Sequence, residues 1–258
     1  MKKEVGVIHI VAVLISALAV LKIYGSLTGN SENLTLYTVG MFLIPVFVAI
    51  AMNKVLSSIY DLKWEDHGLG KKTGFAVGYI VFTGIAFLSI NFMSLPSGIL
   101  GTIKIEKLIL LALSCLMTGT FEELVFRGMI QNMVLKITDK PMKAIVISSF
   151  IFGIVHILNL IAEPQIVVGT ITQVIYTFSL GMVLGTIYMC RGKIIEVMIL
   201  HGAFNFLGQF TAIFASGSPS NAPRADLTIT AAIIQLVFML PCILIAVKTY
   251  RKNMQNNG

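Results

Sequence analysis

The chain has 258 residues, of which 56% are hydrophobic and only 12% charged, whereas ordinary soluble domains carry about a quarter charged residues. A soluble fold of this length cannot solvate its surface with so few charges, so composition points to a membrane domain. The net charge of +7 does not indicate nucleic acid, because the basic residues sit in pairs beside apolar runs rather than in one patch with interleaved aromatics.

A transmembrane helix needs about 20 mostly apolar residues. Hydropathy predicts an all-α bundle of eight spans, at 5–24, 34–56, 74–93, 107–135, 143–161, 166–190, 194–214 and 227–248. They form one membrane domain over 1–258, with no internal repeat. Lys2 and Lys3 precede the first apolar run, and Ala17-Leu18-Ala19 resembles a signal-peptide cleavage site; the run continues through that triplet and reads as an uncleaved span. Turn chemistry marks the breaks at Gly29-Asn30-Ser31, at Leu95-Pro96-Ser97-Gly98, and from Gly217 to Pro223.

Eight spans put both termini on one side, and the basic residues say which. With the N terminus in the cytoplasm, fourteen of the 19 Lys and Arg fall at cytoplasmic ends; Lys22, Lys104, Lys107 and Arg224 fall outside, and Arg127 lies within a span. This is the asymmetry of the positive-inside rule. Trp64, in the loop between the second and third spans, reads as an interfacial anchor. Gly181 and Gly185 have the spacing of close helix packing. Cys115, Cys190 and Cys242 lie in separate apolar runs and read as buried small hydrophobes.

Ionisable groups inside a span are costly, so each is a functional hypothesis. The fourth span carries Glu122, Glu123 and Arg127, the fifth His156 and the seventh His201 with Asn205. Glu123 and Arg127 are four residues apart and share a helix face, so they can pair; Glu122 points about 100° away and has no partner in its own helix. That position suits a general base. A purely structural ion pair accounts equally well for Glu123 and Arg127. A lone His in a span is more often a hydrogen-bonding core residue than a catalytic one, and the weight here comes from co-occurrence with Glu122 and Asn205. At about 1.5 Å per residue from the basic edge of each span, Glu122 lies about 21 Å deep, His156 about 20 Å, and His201 and Asn205 about 12 and 18 Å, which suits one shared cavity. His9 and His67 receive no role.

These residues fall into the pattern Glu-Glu-x-x-x-Arg (Glu122, Glu123, Arg127), Phe-x-x-x-His (Phe152, His156) and His-x-x-x-Asn (His201, Asn205), in that order on separate spans. In this the chain resembles the CPBP family, the CAAX-protease and bacteriocin-processing (Abi) proteins, and is similar to the type II CAAX prenyl endopeptidases. The resemblance covers Glu122 to Asn205, within a catalytic-type core at about 107–214. It implies a glutamate-dependent intramembrane endopeptidase of the cell membrane, in which Glu122 and His156 activate water, His201 and Asn205 stabilise the oxyanion, and Glu123 and Arg127 support the site. No metal is expected, since Asn is a poor zinc ligand and a good oxyanion donor; a zinc site would use Glu122, His156 and His201. The implied partners are the lipid bilayer and a peptide or protein substrate: a prenylated tail, a pheromone precursor or a bacteriocin leader.

Other peptidase chemistries lack their residues. There is no His-Glu-x-x-His, Asp61, Asp66, Asp139 and Asp226 all lie outside the spans, and Ser218 has no base beside it. Two readings outside protease chemistry compete: a transporter with a Glu and His ion path, and a non-catalytic immunity or sensor-modulating membrane protein.

Overall fold

A computed structural model describes residues 4–28, 34–62, 72–93, 103–211 and 226–255. The loop with Trp64 and His67, the three turn segments named above, Asp66 and Ser218 lie outside the described residues. The described residues are helical, with no strand among them. In chain order they form α1 (Val7–Thr28), α2 (Leu34–Tyr60), α3 (Gly74–Met93), α4 (Ile105–Glu123), a π-helical segment (Leu124–Gln131), α5 (Asn132–Thr138) and α6 (Pro141–Ile154). A 3-10 turn (Val155–Leu158), α7 (Asn159–Ala162), α8 (Val167–Arg191), α9 (Ile194–Gln209), α10 (Ile229–Met239) and α11 (Pro241–Met254) follow.

Six stretches among the described residues are long and apolar enough to cross a membrane: Leu43–Tyr60, Gly74–Met93, Ile105–Thr138, Pro141–Ile161, Val167–Arg191 and Ile229–Met254. Two shorter apolar helices, Val7–Ile23 and Ile194–Gln209, occupy the first and seventh predicted positions. By helix length and composition the chain is a multi-pass membrane protein. The predicted third span coincides with α3. In the seventh the α-helix stops at Gln209 and 3-10 geometry follows at 210–211, while 212–214 lie outside the described residues. The eighth runs on to Met254, with a break at Leu240 where Pro241 opens a new first turn.

The fourth span departs most from expectation. A straight α-helix over 107–135 becomes α4, eight π-helical residues and α5, bounded by Asp139 at φ 50°. A wide π turn strains the ordinary backbone ladder, and lipid supplies no donor to compensate. Side chains do so instead. Leu124 O accepts from Asn53 Nδ2 (3.4 Å), Phe126 O from Ser148 Oγ (2.7 Å) and Gly128 O from Asn132 Nδ2 (3.0 Å), while Asn132 also donates to the Tyr188 hydroxyl (2.8 Å).

The core lies where α4 packs on α9 and α6 on α8. At the first contact the backbones meet through two glycines. A Cβ on Gly119 would stand 2.8 Å from Gly202 N, and one on Gly202 would stand 2.9 Å from Leu116 Cα. At α8 the packing expected of Gly181 and Gly185 is present, against Ser149 and Gln131 respectively. Their carbonyls take the Arg127 Nη2 (3.3 Å) and Gln131 Nε2 (3.0 Å) donors, a ladder with the same four-residue step on both helices. Cys115, Cys190 and Cys242 are all buried.

Contacts at the helix ends sort the bundle into two poles. At one, Lys136 Nζ donates to Tyr60 O, Lys72 N to Asn253 Oδ1 (2.9 Å) and Arg191 Nη1 to Thr73 Oγ1 (3.4 Å). At the other, Asn91 Nδ2 donates to Gly208 O (3.0 Å), and the Asp226 carboxylate accepts from Val168 N and Gly169 N (both 2.8 Å). The first pole gathers the basic helix ends.

Candidate active site

Glu122 and Glu123 close α4, one residue before the π segment begins, and the Gly119–Gly202 contact brings α9 against them. Glu123 is fully buried, and its Oε1 takes two partners: Arg127 Nη1 at 2.8 Å and His201 Nδ1 at 2.7 Å. The other imidazole nitrogen, His201 Nε2, lies 3.4 Å from Glu122 Oε2. His201 is thus held between the two adjacent glutamates of a neighbouring helix. Glu122 keeps 20% of its side chain exposed, against 0% for Glu123 and 3% for His201.

Phe152 joins the elements. Arg127 stacks on its ring at 4.8 Å, and the rings of His156 and His201 stand edge-on to it at 5.6 and 5.8 Å. A guanidinium on the face and imidazoles toward the edge are the preferences of an aromatic quadrupole. His156 sits where α6 tightens into the 3-10 turn, and its Nε2 is buried without a hydrogen-bond partner, as is Glu123 Oε2. Both atoms face the interior with bonding capacity unused, and such groups call for an explanation.

Glu122, Glu123, Arg127 and His201 are therefore in direct contact. His156 reaches the group through Phe152, and Asn205 lies one turn beyond His201 on α9, on the wall of a cavity of about 660 Å³ at the pole away from the basic ends. The alternative zinc set of Glu122, His156 and His201 is not assembled: no three His, Cys, Asp or Glu side chains among the described residues are grouped to hold an ion. Sequence reasoning missed three contributors. Gly119 and Gly202 carried only the weak signal of glycine in an apolar span, and the dependence of His201 on Glu123 lies between helices.

Against known families, residues 104–207 match the family described as type II CAAX prenyl endopeptidase Rce1-like. This segment is an Rce1-like domain of the CPBP family. It begins one residue before α4, ends within α9, and contains Glu122, Glu123, Arg127, Phe152, His156, His201 and Asn205. The Rce1-like family is one of proteases, and a buried Glu and His cluster lies inside the matched segment. No curated protein and no solved structure matches the chain.

Proposed function

We propose that the protein is an intramembrane endopeptidase of the cell membrane, with Glu122 as general base. The observation that carries this reading is the clamp on His201, 2.7 Å from Glu123 and 3.4 Å from Glu122 within an Rce1-like domain. Glu122 takes a proton from a water that His156 Nε2 orients, and the resulting hydroxide attacks the scissile carbonyl carbon. His201 and Asn205 Nδ2 donate to the oxygen as it becomes an oxyanion. The proton held by Glu122 passes to the departing amine as the carbon–nitrogen bond breaks. Glu123 orients the imidazole through Nδ1 and ties it to Arg127.

The topology proposed is eight spans with both termini and the basic pole in the cytoplasm, supported by the distribution of Lys and Arg. The substrate is a membrane-proximal peptide of the kind the family name or the resemblance suggests: a prenylated tail, a pheromone precursor or a bacteriocin leader. Comparative membrane proteomics of cells carrying the unsubstituted protein or Glu122→Ala identifies an uncut precursor, and cleavage of that precursor by purified protein tests the reading. Equal cleavage by Glu122→Ala would reject it, and an ion flux abolished by the same substitution would favour a transporter.

A further inference from the structure

The cavity of about 660 Å³ is bounded by α3, the start of α7, α8, α9 and α10 and by the chain entering α10. Among the described residues that line it are six carboxamides: Asn91, Asn159, Gln173, Asn205, Gln209 and Gln235. Among the described residues no Lys, Arg, His or Glu lines it, and the one carboxylate among them, Asp226, is bound by the amides of Val168, Gly169 and Leu227. A charged ligand finds no free counter-charge among these described side chains. Asn159 Nδ2 donates to Gln173 Oε1 at 2.9 Å, so the pair still offers one acceptor, Asn159 Oδ1, and one donor, Gln173 Nε2. One donor beside one acceptor is what a peptide group itself presents, as along a strand edge. The apolar part of the wall, from Phe87, Phe204 and Ile234, suits uncharged side chains.

Position gives this cavity a use. Asn205 is on its wall, and His201 is one turn, about 6 Å, further along the same face of α9. Every lining residue belongs to the half of the bundle away from Lys136, Arg191 and Lys193.

We propose that this carboxamide-lined cavity binds the backbone of an uncharged, extended peptide that runs past Asn205 to the glutamates. This deepens the endopeptidase reading and rests on it for the role of the peptide as substrate. The fit of the cavity to a neutral peptide stands separately.

The test uses full-length protein in membrane vesicles of both orientations, carrying Glu122→Gln to prevent turnover. Gln173→Cys, Gln235→Cys and, at the basic pole, the exposed Lys193→Cys are introduced one at a time; the three native cysteines are buried. A membrane-impermeant sulfonated maleimide is expected to label all three positions. A library of uncharged decapeptides, acetylated and amidated at their ends, is expected to slow labelling of the two cavity positions at least threefold and leave Lys193→Cys unchanged. The same library carrying lysine and glutamate is expected to give no protection. No labelling of the cavity positions, or equal protection by charged peptides, overturns the proposal. If protection is found but the unsubstituted protein cleaves nothing, the endopeptidase reading fails and the peptide site stands. If the unsubstituted protein cleaves but no peptide protects, the peptide site fails and the endopeptidase reading stands.

Discussion

Glu123 is the residue at which a supporting role and a merely structural one separate most cleanly. Its Oε1 serves Arg127 and His201 at once, at 2.8 and 2.7 Å. In Glu123→Gln the Arg127 guanidinium, 1% exposed, loses its counter-charge, and breaking a buried pair costs about 3–5 kcal/mol. For a chain of this size that corresponds to a fall in Tm of about 6 °C or more in detergent. Arg127→Gln leaves Glu123 buried without its guanidinium, with only the His201 imidazole to bond it, and is expected to cost a similar amount. If the losses added, the double variant would lie about 6–10 kcal/mol below the parent.

They are not expected to add. With both charges gone, the double variant lacks the Phe152 contact, about 2 kcal/mol, and the bond to Gly181 O, about 1 kcal/mol, but buries no lone charge. It should sit about 3 kcal/mol below the parent, a coupling at or beyond the upper end of the usual range. Activity should not follow stability, because His201 Nδ1 still has no carboxylate to hold it. The measurements are thermal unfolding in detergent and peptide cleavage for the parent, both single variants and the double variant. Recovery of cleavage together with stability would show that the pair matters only for folding, and the assignment of Glu123 as the support of His201 would fall.

The membrane class, the positions of the apolar helices and the Glu123–Arg127 pair are all legible in the sequence, because each rests on a short-range regularity: hydropathy over about 20 residues or a four-residue helical step. Glu122 reads from the sequence as a carboxylate without a partner, which is true within its own helix and incomplete in the folded chain. Its neighbour is His201, 79 positions on, and their meeting depends on the loss of two Cβ atoms at Gly119 and Gly202. Nothing local marks those glycines as a pair. The π segment escapes for a similar reason. Leu124–Gln131 has no proline and no unusual composition, and its geometry is sustained by donors from Asn53 and Ser148, on two other helices. The position of Asn205 on a cavity wall likewise depends on α3, α8 and α10 converging around α9.

Glu122→Gln should lower turnover by about 10² or more, as for a lost general base, while its Tm stays close to the parent's because no buried cation depends on it; a large fall in Tm with cleavage intact would contradict this. Gly202→Ala sets a Cβ 2.9 Å from Leu116 Cα and should cost about 1–3 kcal/mol of stability together with cleavage, whereas Gly78→Ala, whose Cβ meets nothing within 4 Å, should leave both unchanged. Retained cleavage in Gly202→Ala would show that the helix contact does not position His201. Asp226, outside the membrane-spanning helices, makes the stability of the chain depend on pH. The amides of Gly169, Val168 and Leu227 hold the Asp226 carboxyl below its ordinary range, so the folded chain prefers the ionised form more strongly than the unfolded chain does. The stability this gives is present above the unfolded value, about 3.9, and is lost as the pH falls through the lower folded value. Asp226→Asn keeps one acceptor but cannot ionise, so its Tm should lie below the parent's at pH 7 and the gap should close progressively below about pH 4. Unfolding curves of both proteins from pH 7 to 2.5 measure that gap. A gap that stays constant, or widens on acidification, would mean that the carboxylate does not hold the start of α8.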